Sequence, residues 1–139
     1  MMHSKLIRIG QILERRASAA TSMIAGLSYS EVRLLSTLRG PGARGLTRAE
    51  IAQQCHLTPS AVSRALKPLE KSGYVTSQRD VRDARNSRAI LTPSGGERLS
   101  HAINAVNGLW DDLDLTAQGV GEPMLDAILA RLRPDDPIR

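Results

Sequence analysis

Apolar residues recur at steps of three and four near the start of the chain: Leu6, Ile9, Leu13, Ala17, Ala20 and Ile24. That period predicts a helix over 4–25 with one buried stripe. Lys5, Arg8, Glu14 and Arg15 fall elsewhere around the wheel, and Gly26 is placed to stop the helix. Further helix starts follow a common formula. Ser28 with Glu31, and Thr47 with Glu50, have the spacing of a capping box, in which hydroxyl and acid satisfy each other's backbone N–H groups. Leu27 with Val32, and Leu46 with Ile51, supply the apolar staple around each cap. Thr58 caps a third start, where Pro59 takes the first helical position without losing a needed N–H, and Leu57 is placed to staple onto Val62. These signals predict helices at 29–39, 48–55 and 59–72.

The glycines and proline of 39–45 predict a loop without a regular element. Gly73 ends the helix begun at Pro59. Residues 74–79 and 88–91 then read as paired strands with a polar, charged tip from Asp80 to Ser87. Thr92-Pro93 repeats the cap-and-proline device and opens a helix to about Ala117, with Leu99, Ile103, Val106, Leu109 and Trp110 inward. A last helix, near 122–132, carries Met124, Leu125, Ile128, Leu129 and Leu132. The predicted order is α-α-α-α-β-β-α-α, mostly α with a small β-hairpin, and no internal repeat or domain boundary interrupts it. Pro68 removes the hydrogen bond to the Arg64 carbonyl, which predicts a bent but unbroken helix.

Charge adds a direction to this pattern. The formal net charge is +5. Arg64, Lys67, Lys71, Arg79, Arg82, Arg85 and Arg88 face only Glu70, Asp80 and Asp83 in the same stretch, whereas acids gather after Asp111. One part of the chain suits a polyanion. The chain has no Phe, and only Trp110, Tyr29 and Tyr74 are aromatic. Single strands are held on aromatic stacking platforms, which this composition cannot build, so duplex DNA is the partner predicted.

Residues 46–72 hold two short helices joined by a turn at 54–57, the outline of a helix-turn-helix. The second helix starts with the small or polar residues Pro59, Ser60, Ala61 and Ser63, which let its backbone approach a major groove. Ser60 and Ser63 can bond phosphate or base edges, Arg64 can fork onto guanine or phosphate, and Lys67 adds charge. Thr47 and Thr58, at the two helix starts, complete the expected contacts. Val62, Leu66 and Leu69 are expected to pack on Ile51, Ala52 and Leu57. In the hairpin, Arg79, Arg82 and Arg85 alternate with Asp80 and Asp83, which can hold them in place for a minor groove, and Arg88 adds a further expected contact.

These runs resemble the MarR family. The resemblance rests on 46–52, 57–64 and 69–75, on the D-x-R-D-x-R pattern from Asp80 to Arg85, and on Leu91-Thr92-Pro93-Ser94-Gly95. It implies a single winged-helix domain over 1–139. The winged-helix lobe would span 29–92, and the segments 4–25 and 93–139 would form a homodimer interface. It further implies a transcription regulator, commonly a repressor, that reads a pseudo-palindromic operator and is released by a small-molecule effector in many members. On the same resemblance Arg82 enters the minor groove and Asp80 orients it.

Other residues attract plainer readings. Cys55 lies in the helix-turn-helix, away from where peroxide-sensing members keep a reactive cysteine, and reads as structural. His3, His56 and His101 lack metal-site spacing, the acids near Asp111 read as a solvated helix end, and Trp110 as core or interface. No cofactor is expected. No nucleophile–base pair, P-loop or dinucleotide fingerprint is present, so no enzyme is expected. A winged helix used only for protein contact would carry fewer cations on its second helix and hairpin. No apolar run reaches the roughly 20 residues of a membrane span, and no signal peptide is evident, so a cytoplasmic protein is expected.

Overall fold

The computed structural model describes residues 1–79 and 87–132. Helix α1 (Met2–Ala25) leads into α2 (Tyr29–Arg39), a 3-10 turn (Gly42–Arg44) and strand β1 (Leu46–Thr47). Helices α3 (Arg48–Cys55) and α4 (Pro59–Lys71) follow, then β2 (Val75–Arg79) and β3 (Ser87–Leu91). Helices α5 (Pro93–Leu113) and α6 (Glu122–Arg131) complete the order. No helix among the described residues is long and apolar enough to cross a membrane.

The capping signals act as the sequence predicts. Ser28 and Thr47 each accept their N3 backbone N–H while Glu31 and Glu50 reach back to the cap N–H. Thr58 and Thr92 cap α4 and α5 with a proline in the first turn. Helix α4 continues through Pro68 without a break. The core gathers under these elements: Leu34, Leu35 and Leu38 of α2, Ile51 of α3, Val62, Leu66 and Leu69 of α4, and Leu99 and Ala102 of α5.

The sheet has a strand that the hydrophobic pattern did not reveal. Its order is β1-β3-β2, antiparallel throughout, with Leu46 opposite Ala89 and Thr47 opposite Arg88. The segment read as an irregular loop holds the 3-10 turn, after which Gly45 takes φ 63°. A Cβ there would lie 2.5 Å from the Ala89 carbonyl oxygen, so only glycine lets the chain enter β1 against β3.

Three packing expectations need correction. In α1 the buried seam is Ala17, Thr21 and Ala25, whereas Leu6 is 63% exposed and Ile9 and Ile24 are also exposed. The small residues let α1 lie close against α5 and α2, while Leu6, Ile9 and Ile24 face outward. The Thr21 hydroxyl donates to the Ser18 carbonyl at 3.2 Å, which satisfies it inside the seam. Leu57 is 45% exposed rather than packed beneath α4, because His56 turns the chain in the left-handed region (φ 53°) and carries Leu57 outward. Helix α5 stops at Leu113, where Asp114 adopts φ 42°, short of the predicted end near Ala117.

Candidate nucleic-acid interface

The exposed face of α4 follows from its buried one. Val62, Leu66 and Leu69 face the core, which turns Pro59, Ser60, Arg64, Lys67 and Lys71 to solvent and leaves Ser63 half-buried. Ser60, Arg64, Lys67 and Lys71 are spaced by three and four residues and share one face. Lys71 was not among the predicted contacts, although its spacing from Lys67 is the signal that includes it. The Thr58 hydroxyl accepts the Ala61 N–H at 3.2 Å and lies 3.2 Å from the Ser60 hydroxyl, so both groups are held at the helix start. Thr58, Pro59 and Ser60 are exposed, and the positive dipole end of the helix favours an anion there.

The hairpin stands beside this face. Only Val75 of β2 is buried, and Thr76, Ser77, Gln78 and Arg79 are exposed. Arg79, at the end of β2, is thus a further exposed cation. Asp80, Arg82 and Arg85 lie outside the described residues.

Arg88 and Thr47 turn inward instead. Arg88 Nη1 donates to Glu50 Oε2 at 3.3 Å and to the Gly45 carbonyl at 3.4 Å, with its side chain 26% exposed. Arg44 donates to the other oxygen of Glu50 at 3.4 Å. The Thr47 hydroxyl accepts the Glu50 N–H at 3.2 Å, and the Thr47 N–H donates to Glu50 at 2.7 Å. Glu50 therefore gathers the start of α3, the preceding turn and β3 around one carboxylate. Its pKa lies below the ordinary 4.5, first because the Thr47 backbone N–H bonds the charged form, with Arg88 and Arg44 acting in the same direction against desolvation. Two further ties escaped the sequence reading: Arg48 of α3 bonds the Ser87 hydroxyl on β3, and the Ser77 hydroxyl on β2 bonds Glu70 of α4. Both join residues whose pairing depends on how the hairpin folds back, which no local pattern encodes.

Two adjoining cavities open between α2 and α5, one reaching α3 and the other α1. One, of about 260 Å³, is lined by Tyr29, Arg33, Thr37, Cys55, Val106 and Asn107, among others. The second, of about 350 Å³, shares Tyr29 and Arg33 and adds Leu13, Glu14 and Trp110. Cys55 is buried with its sulfur 3.4 Å from the Thr37 hydroxyl. His3, His56 and His101 are all exposed and far apart in the element order.

Comparison with known proteins places this geometry. The MarR family model matches residues 25–86. Over 90 residues the chain is 36% identical to an HTH-type transcriptional repressor of Mycobacterium tuberculosis, covering 65% of this chain and 63% of the repressor. The chain thus spans less than two thirds of the length of that curated relative. A MarR family transcriptional regulator from Streptomyces coelicolor, solved in complex with DNA, is 26% identical with a TM-score of 0.77, over 99% of this chain and 90% of that one. The fold is shared also with CouR from Rhodococcus jostii, solved with p-coumaroyl-CoA bound, at a TM-score of 0.79 and 19% identity over 99% and 95% of the two chains.

Proposed function

We propose that this chain, whose residues 25–86 match the MarR family, is a winged-helix member of that family and a duplex-DNA-binding transcription regulator acting as a homodimer. The observation that carries the proposal is the solvent face of α4. Its small, capped start and its Arg64, Lys67 and Lys71 are presented beside the exposed β2, while the opposite side of the helix is committed to the core. Pro59 and Ser60 admit the backbone to a major groove. Ser63 and Arg64 read base edges or grip phosphate, and Lys67 and Lys71 neutralise phosphates. Thr58 acts as cap and phosphate contact together. On this reading Arg79 brings the hairpin to the flanking groove, where the family resemblance implies Arg82, oriented by Asp80, with Arg85 beside it. Thr47 and Arg88 support the surface from behind rather than touch DNA.

A homodimer is supported by what the single chain leaves uncovered. Leu6, Ile7 and Ile9 of α1, with Leu125, Ile128 and Leu129 of α6, are large apolar side chains exposed on the two terminal helices. A second copy covering them would set two α4 helices in successive major grooves, about 34 Å apart, on a pseudo-palindromic operator. The relative from Mycobacterium tuberculosis is a repressor, which favours repression here. The cavities around Tyr29 and Arg33 lie where a small molecule would touch both the lobe and α5, and CouR, which shares the fold, was solved with p-coumaroyl-CoA bound. A ligand there would act through its different affinity for two spacings of the lobes. The family acts by binding and not by catalysis, and the chain is no enzyme. The cytoplasm, where its DNA is, is the location this function requires.

Hydroxyl-radical footprinting on the DNA upstream of the protein's own gene tests the reading. Two protected patches centred about one helical turn apart are expected. Uniform protection at all sequences, or none, would replace the operator-reading function with a non-specific or protein-binding one.

A further inference from the structure

Two partly buried acidic side chains, one on each helix of the helix-turn-helix, are each bonded to a different strand of the hairpin. Glu50 of α3 accepts from Arg88 of β3 at 3.3 Å, and the neighbouring Arg48 bonds Ser87 on the same strand. Glu70 of α4 is half-buried and accepts from the Ser77 hydroxyl of β2. Val75, Ser77 and Arg79 alternate onto one side of β2. Along that side the strand runs from the buried Val75, through the tie to Glu70, to the exposed Arg79. The hairpin is therefore fastened to α3 through one strand and to α4 through the other. Pairing with β1 and the buried Ala89 hold β3 in place, whereas β2 beyond Val75 is an exposed sheet edge with little apolar packing to hold its angle.

We propose that Glu50 and Glu70 are positioning residues for DNA binding, fixing the hairpin against the recognition helix so that Arg79 and the cations of α4 meet one duplex together. The inference rests on the DNA-binding reading above and adds how its two contact surfaces are kept in register. Charge alone argues for the opposite result. A carboxylate beside a phosphate-binding face repels DNA, so deleting it should tighten binding. If the carboxylate holds the hairpin in place, deleting it loosens binding instead.

Glu70 is the residue to test, because Glu50 also caps α3. Duplex affinity is measured by fluorescence anisotropy for the full chain and for Glu70→Ala, Glu70→Gln, Arg79→Ala and the Glu70→Ala/Arg79→Ala double variant. Glu70→Ala is expected to weaken operator binding about fivefold, the scale of one hydrogen bond. Glu70→Gln, which keeps an acceptor for Ser77 and removes the charge, should bind at least as tightly as the unaltered protein. In the Arg79→Ala background the Glu70→Ala loss should shrink, since one of the groups it positions is gone. Equal or tighter binding by Glu70→Ala, or losses that simply multiply, would overturn the proposal. Amide exchange of Thr76–Arg79, read by NMR without DNA, separates this inference from the functional reading. It should quicken in Glu70→Ala and stay unchanged in Glu70→Gln, with α4 protected in both. If the unaltered protein bound no duplex, the functional reading would fall, and unchanged exchange in Glu70→Ala would overturn the tie itself.

Discussion

Arg64 and Lys71 are both exposed on α4, yet they are expected to fail differently. Arg64 stands near the helix start, within reach of base edges. Arg64→Ala should cost about 1–3 kcal/mol on the operator and relax base preference at one position. Lys71 stands at the far end of the same face. Lys71→Ala should weaken all duplexes alike and reduce the salt slope by about one. Titrations on operator and point-changed duplexes across salt separate the two, and an unchanged slope would remove Lys71 from the interface. Gly95, in the first turn of α5, marks a site of pure packing. A Cβ there would run into the Tyr74 carbonyl, so Gly95→Ala should lower stability by about 1–3 kcal/mol in urea unfolding. The outward face of α4 was legible in the sequence because Val62, Leu66 and Leu69 fix its inward one. Arg88 was not distinguishable from its neighbouring arginines, since its partner Glu50 lies 38 residues away and the side of the strand it occupies depends on register.

Among the elements, the helix starts were the most readable, because each cap and its N3 partner lie within four residues. Strand β1 was hidden, because two residues become a strand only by pairing with β3, a partner more than forty positions later in the chain. Leu46 and Thr47 were read as staple and cap, and they serve as those and as strand together. Helix α1 shows the limit of periodicity: the stripe announced a helix but not which of its residues meet the lobe. The Glu50 junction gives the prediction proper to this scale. Its folded pKa is depressed, so the stability it contributes is present above the ordinary value of 4.5 and is lost as pH falls through the lowered one. Glu50→Gln lacks that titration. In urea unfolding from about pH 7 to about pH 3, the stability gap between the unaltered protein and Glu50→Gln should narrow on acidification. A gap that stays constant with pH would mean that the carboxylate's charge contributes nothing at this junction.

For the whole molecule, the exposed apolar residues of α1 and α6 argue for a partner copy. Leu129, 66% exposed in the single chain, is predicted to be covered in the dimer. Leu129→Glu should convert a species of twice the chain mass into the single chain in sedimentation velocity, and weaken operator binding with it. A single chain before substitution would detach the DNA reading from two-fold symmetry. The central claim remains that this molecule reads duplex sequence. Its most direct test is an anisotropy titration on its own promoter duplex and a scrambled one, each at two salt concentrations. The account predicts tight binding to the promoter alone, weakening steeply with salt as condensed counterions are released. Equal affinity for both duplexes, or none for either, would contradict it.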